Sequence, residues 1–242
     1  MYKGIFITGT DTDVGKTVVT AGLLNQIRAH GVDAVPMKPV QTGCVLQNGV
    51  YHAPDLDFSI SYSELTHTDE EYQYMSPYKY DPACSPHLAG KLAGECPVID
   101  NIVFNLKKLE ESREFILVEG AGGIMVPLSD KDMMIDLMKT VGYPVILVAR
   151  TGLGTINHTL LSLQALRNAG LNVLGIIFNN ITLPSESSLF IREDNVKTIV
   201  EFGKVKVLGI IEYLGKMQGN FDIMKESFNK NIDYKIINNV LC

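Results

Sequence analysis

The residues best placed to do chemistry lie in Gly9-Thr10-Asp11-Thr12-Asp13-Val14-Gly15-Lys16-Thr17. The apolar run Gly4-Ile5-Phe6-Ile7-Thr8 precedes it, and a helix-like segment from Val18 to His30 follows. Strand, glycine-bounded loop, Gly-Lys-Thr and helix is the layout of a phosphate-binding P-loop. Backbone N–H groups of such a loop point at nucleotide phosphates, and the helix N-terminus adds positive potential. Lys16 is expected to reach the β- and γ-phosphates, and the Thr17 hydroxyl to bind Mg²⁺. The loop departs from the common G-x-x-x-x-G-K-[ST] spacing, because Thr10 stands at the first glycine position and Gly9 comes one residue early. Asp11 and Asp13 occupy the part of the loop where partition-type ATPases carry a second lysine.

Further polar residues fall at the ends of apolar runs. Ile116-Leu117-Val118-Glu119 opens into Gly120-Ala121-Gly122-Gly123. A carboxylate at a strand end, beside glycines that allow close backbone approach, suits support of a metal near phosphate. Lys38, in Met37-Lys38-Pro39-Val40-Gln41-Thr42-Gly43, could set a second positive charge against a transferring phosphate. Read alone, an ordinary solvated lysine is the plainer account. Asp55 or Asp57 offers oxygen ligands of the kind Mg²⁺ prefers, although exposed aspartates are common. Gly152-Leu153-Gly154-Thr155-Ile156-Asn157-His158 starts a helix, with Thr155 as N-cap and free N–H groups suited to an anion. His158 there reads as structural. Asn179 and Asn180 end a strand, where an amide suits a purine edge or simply forms a turn.

These residues need a frame. Strands are expected at Lys3–Thr8, Ala34–Met37, Phe115–Glu119, Pro144–Ala149, Val173–Phe178 and Lys206–Ile211. Several are near-continuous Val/Ile/Leu runs, as parallel strands read when helices cover both faces. Helices are expected at Thr17–His30, Pro86–Ala93, Ile102–Glu111, Met133–Thr140, Thr155–Ala169 and Asp194–Phe202. The alternation predicts an α/β, doubly wound, mostly parallel sheet with helices on both faces. Ligands then gather at the carboxyl ends of the strands. Residues 41–86 break the rhythm and read as a polar insertion with short helices over the site, within one P-loop domain spanning 1–242. The Asn/Lys-rich segment after Gly215 receives no assignment.

The chain has 242 residues, 46% hydrophobic and 20% charged, with a net charge of −6. That is ample for a large globular core. An acidic balance without a Lys/Arg run argues against nucleic acid and anionic membrane as partners. No apolar run is long enough to span a bilayer, and the P-loop strand leaves no room for a signal peptide before it. The four cysteines, Cys44, Cys84, Cys96 and Cys242, form no C-x-x-C pair and no zinc-like group. They read as reduced thiols of a cytoplasmic protein.

Taken together the motifs resemble the dethiobiotin synthetase family, ATP-dependent enzymes of biotin synthesis. The resemblance rests on the P-loop with its early glycine, Lys38-Pro39-Val40, Ser85-Pro86-His87, Val118 to Gly123, Pro127-Leu128 and Leu153 to His158, in family order. It implies carboxylation and ring closure of 7,8-diaminononanoate with CO₂, giving dethiobiotin, ADP and phosphate. ATP would be co-substrate and Mg²⁺ the metal. Asp13, Val14, Gly15, Lys16, Thr17 and Val18 would hold the phosphates. Thr17, Asp55 and Glu119 would ligate Mg²⁺, with Gly120, Ala121 and Gly122 beside the nucleotide. Lys38 would be catalytic together with Lys16. Thr42 would contact substrate, and Asn179 with Asn180 would meet the adenine. Gly154, Thr155, Ile156 and Asn157 would bind the substrate carboxylate from the partner subunit of a homodimer.

The chain departs from the family pattern at Glu212, where proline is frequent, and at Cys84, where a small polar residue is commoner. Two other readings share the P-loop. A partition-type or metallochaperone ATPase would act as a binding switch, but would bring a second loop lysine or Cys/His ligands. An amidotransferase of corrinoid synthesis would need room for a glutaminase domain.

Overall fold

The six apolar runs assemble side by side because each has two faces to bury. In the computed structural model, residues 2–183, 186–215, 221–234 and 240 are described. The elements in chain order begin with β1 (Gly4–Gly9), α1 (Lys16–Ala29), β2 (Ala34–Met37), β3 (Val40–Thr42), β4 (Val45–Gln47) and β5 (Val50–His52). Then come α2 (Pro54–Tyr62), α3 (Asp69–Met75), β6 (Tyr78–Tyr80), α4 (Pro86–Ala93), α5 (Ile99–Ser112) and β7 (Phe115–Gly123). The rest are α6 (Met134–Val141), β8 (Val145–Ala149), α7 (Thr155–Asn168), β9 (Val173–Asn179), α8 (Glu186–Gly203), β10 (Val207–Ile211) and α9 (Phe221–Asn231).

Six strands form one sheet in the order β10-β9-β8-β1-β7-β2, and every pairing in it is parallel. Side chains alternate between two cores, as strand geometry requires. Phe6, Val118, Leu147 and Phe178 face the layer containing α5, α6 and α7. Ile5, Ile7, Leu117, Val148 and Ile177 face the layer containing α1 and α9. Both faces being apolar is the reason the runs showed no polar alternation.

The described residues after Gly215, 221–234 and 240, contribute to the second layer. Phe228 of α9 lies against Gly22 of α1, where an added Cβ would stand 2.2 Å from its ring. Gln26 Nε2 donates to the Phe228 carbonyl at 3.0 Å, and His30 stacks on Tyr234 with centroids 3.7 Å apart. Residues 41–86 hold two short helices, as expected, and also two small two-stranded pairings, parallel β3–β6 and antiparallel β4–β5. The Tyr72 hydroxyl accepts from the Ala53 N–H at 2.9 Å and donates to Asp57 at 2.7 Å. That ties α3 to the start of α2. The Lys38 N–H donates to the Met75 carbonyl at 2.8 Å, which fixes the backbone leaving β2.

Candidate active site

The site is built at the carboxyl ends of β1, β2 and β7. Beyond β1 the chain folds back on itself through residues with positive φ, Asp13 at 58° and Gly15 at 93°. Two glycines are sterically required there. A Cβ on Gly9 would stand 2.7 Å from Val14 Cγ2, and one on Gly15 would stand 2.0 Å from Asn179 Nδ2. Gly15 caps α1 without a side-chain hydrogen bond, so the first-turn N–H groups have no side-chain acceptor. Such an end attracts an anion. Lys16 Nζ donates to the Asp11 carbonyl at 2.8 Å across the loop. Its pKa is lowered to about 8, first by burial and then by the nearby Lys38.

Across the cleft, Lys38, Asp55 and Glu119 converge on one another and on Thr17 of the loop. Lys38 Nζ lies 2.7 Å from Glu119 Oε1 and 2.7 Å from Asp55 Oδ2. It also donates to the Gly120 carbonyl at 3.3 Å. Thr17 Oγ1 donates to the same Glu119 Oε1 at 2.9 Å. Glu119 is 3% exposed and Lys38 4%. Burial alone would lower the Lys38 pKa, but Glu119 and Asp55 more than offset it and hold it raised. Burial alone would raise the Asp55 pKa, but Lys38 outweighs it, and hydrogen bonds from Gln41 and Thr17 lower it further.

The spacing of Asp55 is set locally. Pro54 begins α2, which puts Asp55 in its first turn. Gln41 Oε1 accepts from the Asp55 N–H at 3.3 Å, while Gln41 Nε2 donates to the Thr42 carbonyl at 2.9 Å. Gln41 is buried and lies on the cavity wall. Sequence reasoning gave it no role, and its place three residues after Lys38 was the only signal.

A cavity of about 770 Å³ joins these groups. Its wall includes Asp13, Gly15, Lys16 and Thr17 from the loop, and Lys38, Thr42, Asp55, Glu119, Ala121 and Gly122 from the opposite side. Cys84, Ser85 and Pro86, at the start of α4, line it as well. With two ammonium groups, Lys16 and Lys38, and three carboxylates, Asp13, Asp55 and Glu119, on the wall, a bound polyphosphate would add uncompensated negative charge. The donor set fits the cation that would balance it. Mg²⁺ takes oxygen ligands, using one or two carboxylates plus phosphate. Thr17, Asp55 and Glu119 supply such oxygens around a point where an ammonium already sits.

Other expected residues lie elsewhere. Asn179 Nδ2 donates to the Val14 carbonyl at 3.1 Å, so this amide braces the loop. Asn180 Nδ2 donates to Glu212 Oε2 at 3.1 Å, and its Oδ1 accepts from Thr151. The departure at Glu212 is therefore tied to Asn180. Gly154, Thr155, Ile156 and Asn157 do not line the cavity within the chain. Gly154, at φ 86°, is the N-cap of α7, and Thr155 is the first helical residue rather than the cap. The Thr155 hydroxyl turns inward to the Arg150 carbonyl. Leu153 beside it is 94% exposed. Among the described residues no group of three or more His, Cys, Asp and Glu is arranged for a metal.

A parallel sheet with this loop at the head of its central strand defines a P-loop NTPase fold. A chain of the MinC:MinD cell division protein complex of Aquifex aeolicus superposes on it with TM-score 0.57 at 14% identity, covering 93% of this chain and 86% of that one. The septum site-determining protein MinD with Mg-ADP from Pyrococcus horikoshii gives 0.56 at 18% identity, covering 94% and 86%. These likenesses concern fold alone.

Residues 3–220 match a family model described as an AAA domain. The ATP-dependent dethiobiotin synthetase BioD of Anoxybacillus flavithermus is 40% identical over 213 residues, 88% of this chain and 92% of that protein. Its namesake in Clostridium novyi is 36% identical over 98% of both chains. That of Methanocaldococcus jannaschii is 35% identical over 86% of this chain and 93% of its own. The chain belongs to the dethiobiotin synthetase family.

Proposed function

We propose that the chain is an ATP-dependent ligase of biotin synthesis. It carboxylates 7,8-diaminononanoate with CO₂ and closes the ureido ring, releasing ADP and phosphate. The observation that carries the reading is the meeting of Lys16, Thr17, Lys38, Asp55 and Glu119 around one cavity that continues to Thr42 and Ser85. One end suits a triphosphate and the other leaves room for a small organic substrate.

An amine of the substrate adds to CO₂ and loses a proton to give a carbamate. A carbamate oxygen attacks the γ-phosphorus of ATP, and ADP leaves. The neighbouring amine attacks the carbon of the mixed anhydride, phosphate departs, and the ring closes. In such a sequence the protein positions reactants and stabilises charge. The N-terminus of α1 and Lys16 hold the phosphates. Lys38 offsets charge on the carbamate and the transferring phosphoryl group. Thr42 contacts substrate, and Asn179 with Asn180 shapes the base end. Thr17, Asp55 and Glu119 would hold Mg²⁺, which supplies charge neutralisation between the phosphates.

The protein works as one P-loop unit, with residues 41–86 as its substrate cover, in the cytoplasm. No helix among the described residues is long and apolar enough to cross a membrane. It functions as a homodimer in which the start of α7, exposed beside Leu153, reaches the partner's cavity and binds the substrate carboxylate. Free N–H groups at a helix start suit that task. Co-expressed Lys16→Ala and Gly154→Asp chains test this. Each heterodimer would hold one site with both lesions and one with neither, so random pairing restores roughly a quarter of wild-type activity. No recovery in confirmed heterodimers removes the shared site.

The reaction itself is tested by mass spectrometry of products after incubation with ATP, bicarbonate and 7,8-diaminononanoate. A product heavier than the diamine by one carbonyl less two hydrogens, formed with ADP, is expected. ATP hydrolysis that ignores the diamine would sink the reading.

A further inference from the structure

Lys38 has three N–H donors, as every lysine ammonium does. The chain uses all three, on Glu119 Oε1 at 2.7 Å, Asp55 Oδ2 at 2.7 Å and the Gly120 carbonyl at 3.3 Å. Held this way, the ammonium has no hydrogen left for a substrate. The oxygens that hold it are those suited to a divalent cation, and Glu119 Oε1 already accepts from Thr17 as well.

The two cations compete for the same lone pairs. Mg²⁺ bonds oxygen at about 2.1 Å, so a metal on either carboxylate oxygen lies within ~4.8 Å of an ammonium left in place. In a buried pocket such repulsion is poorly screened. In the absence of a cation, Glu119, 3% exposed, would be an unpaired buried charge. The ammonium therefore neutralises the carboxylate pair and competes with a metal for it.

Lys38 also has somewhere to go. Its backbone is fixed by the N–H to Met75 bond, but its stem is a flexible four-carbon chain, and the cavity beside it extends toward Thr42. We infer that Lys38 is the resident cation of the Asp55–Glu119 pair, that a divalent metal takes its place there, and that this exchange turns the ammonium toward the substrate. The inference rests on the metal site proposed above. It makes metal binding the event that switches the lysine from a structural to a reactive position. Phosphoryl transfer cannot begin while the metal is missing, even with nucleotide bound.

The test uses the whole enzyme labelled with ¹³C at lysine Cε, with ADP as nucleotide so that no γ-phosphate draws the lysine. The Lys38 signal is assigned by its loss in Lys38→Met, or in Lys38→Arg if the methionine variant does not fold. ADP alone is expected to leave the signal in place, and MgCl₂ added with ADP to move it in proportion to occupancy. Mn²⁺ titration followed by electron paramagnetic resonance gives the affinity directly. Lys38→Met, with no ammonium to expel, should bind Mn²⁺ on the order of ten-fold more tightly than wild type. Lys38→Arg, whose guanidinium can span both carboxylates, should bind it more weakly. A stationary Lys38 signal at saturating Mg²⁺ overturns the exchange, as does equal or weaker Mn²⁺ affinity in Lys38→Met, or tighter affinity in Lys38→Arg. If wild type and both variants bind Mn²⁺ no better than Glu119→Gln, the metal site itself is refuted and the exchange falls with it.

Discussion

Gly15→Ala is the sharpest test of how the loop is held. The substitution adds one methyl group at φ 93°, where an L-residue is strained by roughly 1–2 kcal/mol. The new Cβ would stand 2.0 Å from Asn179 Nδ2 and 2.9 Å from its Cγ. Asn179 is 5% exposed and cannot swing into solvent. It must rotate away and give up its bond to the Val14 carbonyl, leaving buried polar groups unpaired at a cost of about 1–3 kcal/mol. The sum, roughly 2–5 kcal/mol, corresponds to a melting temperature about 4–20 °C lower for a chain of this size. Thermal unfolding followed by circular dichroism measures it. A double variant, Gly15→Ala with Asn179→Ala, separates the two causes. With the amide gone the methyl has room and only the backbone strain remains. The double variant should therefore be less destabilised than the sum of the singles, by on the order of 1–3 kcal/mol. Strict additivity, or an unchanged melt for Gly15→Ala alone, would refute the argument.

Three further outcomes are expected. Glu119→Gln removes one carboxylate from the Lys38 cluster and should raise the Mg²⁺ midpoint of turnover; an unchanged midpoint means that Glu119 does not support the metal. Phe228→Ala empties the space against Gly22 of α1 and should cost about 3–5 kcal/mol in thermal unfolding; a loss under ~1 kcal/mol would mean that α9 is not docked as described. Burial pushes the Cys44 thiol up to about 11, so at pH 8 it is almost wholly protonated and its reactive thiolate appears only as pH rises toward that value. Iodoacetamide at pH 8 should label the half-buried Cys84 and spare Cys44, read by peptide mass spectrometry, and equal labelling would contradict this.

The sequence was most legible where one residue type had one reason to be there. Five of the six strands of the sheet were expected within about a residue of their ends, because apolar runs with no polar alternation have few alternatives in a soluble chain, whereas β7 continues four residues past Glu119, through Gly120-Ala121-Gly122-Gly123, which carry little apolar signal. The helix starting at Glu186 was expected only from Asp194. Leu189, Phe190 and Ile191 are 47%, 68% and 40% exposed, so apolar residues on the solvent side hid the amphipathic pattern. The helix Phe221–Asn231 was missed because it buries little more than Met224 and Phe228, one turn apart in an otherwise polar stretch. The short strands of the insertion run three residues each, less than two full alternations. At the site, Lys16, Thr17 and Glu119 stood in readable motifs. The meeting of Lys38 with Asp55 depends on how residues 41–86 fold over the sheet, and Gln41 acts through a backbone contact that no spacing rule announces.

The position of β1 at the middle of the sheet has a consequence for how the protein is made. Gly4 pairs with Ile116 and Phe6 with Val145, so neither neighbour of the nucleotide-binding strand exists until over a hundred further residues have been translated. At about 5–20 residues per second, β1 waits roughly 5–20 s on the ribosome as a bare apolar segment. Its partnerships are long-range, which makes the sheet slow to nucleate. During that interval the phosphate loop has no wall opposite it and cannot be steadied by nucleotide. The strand that leads into the phosphate loop is thus left as an unpaired apolar edge for that whole interval.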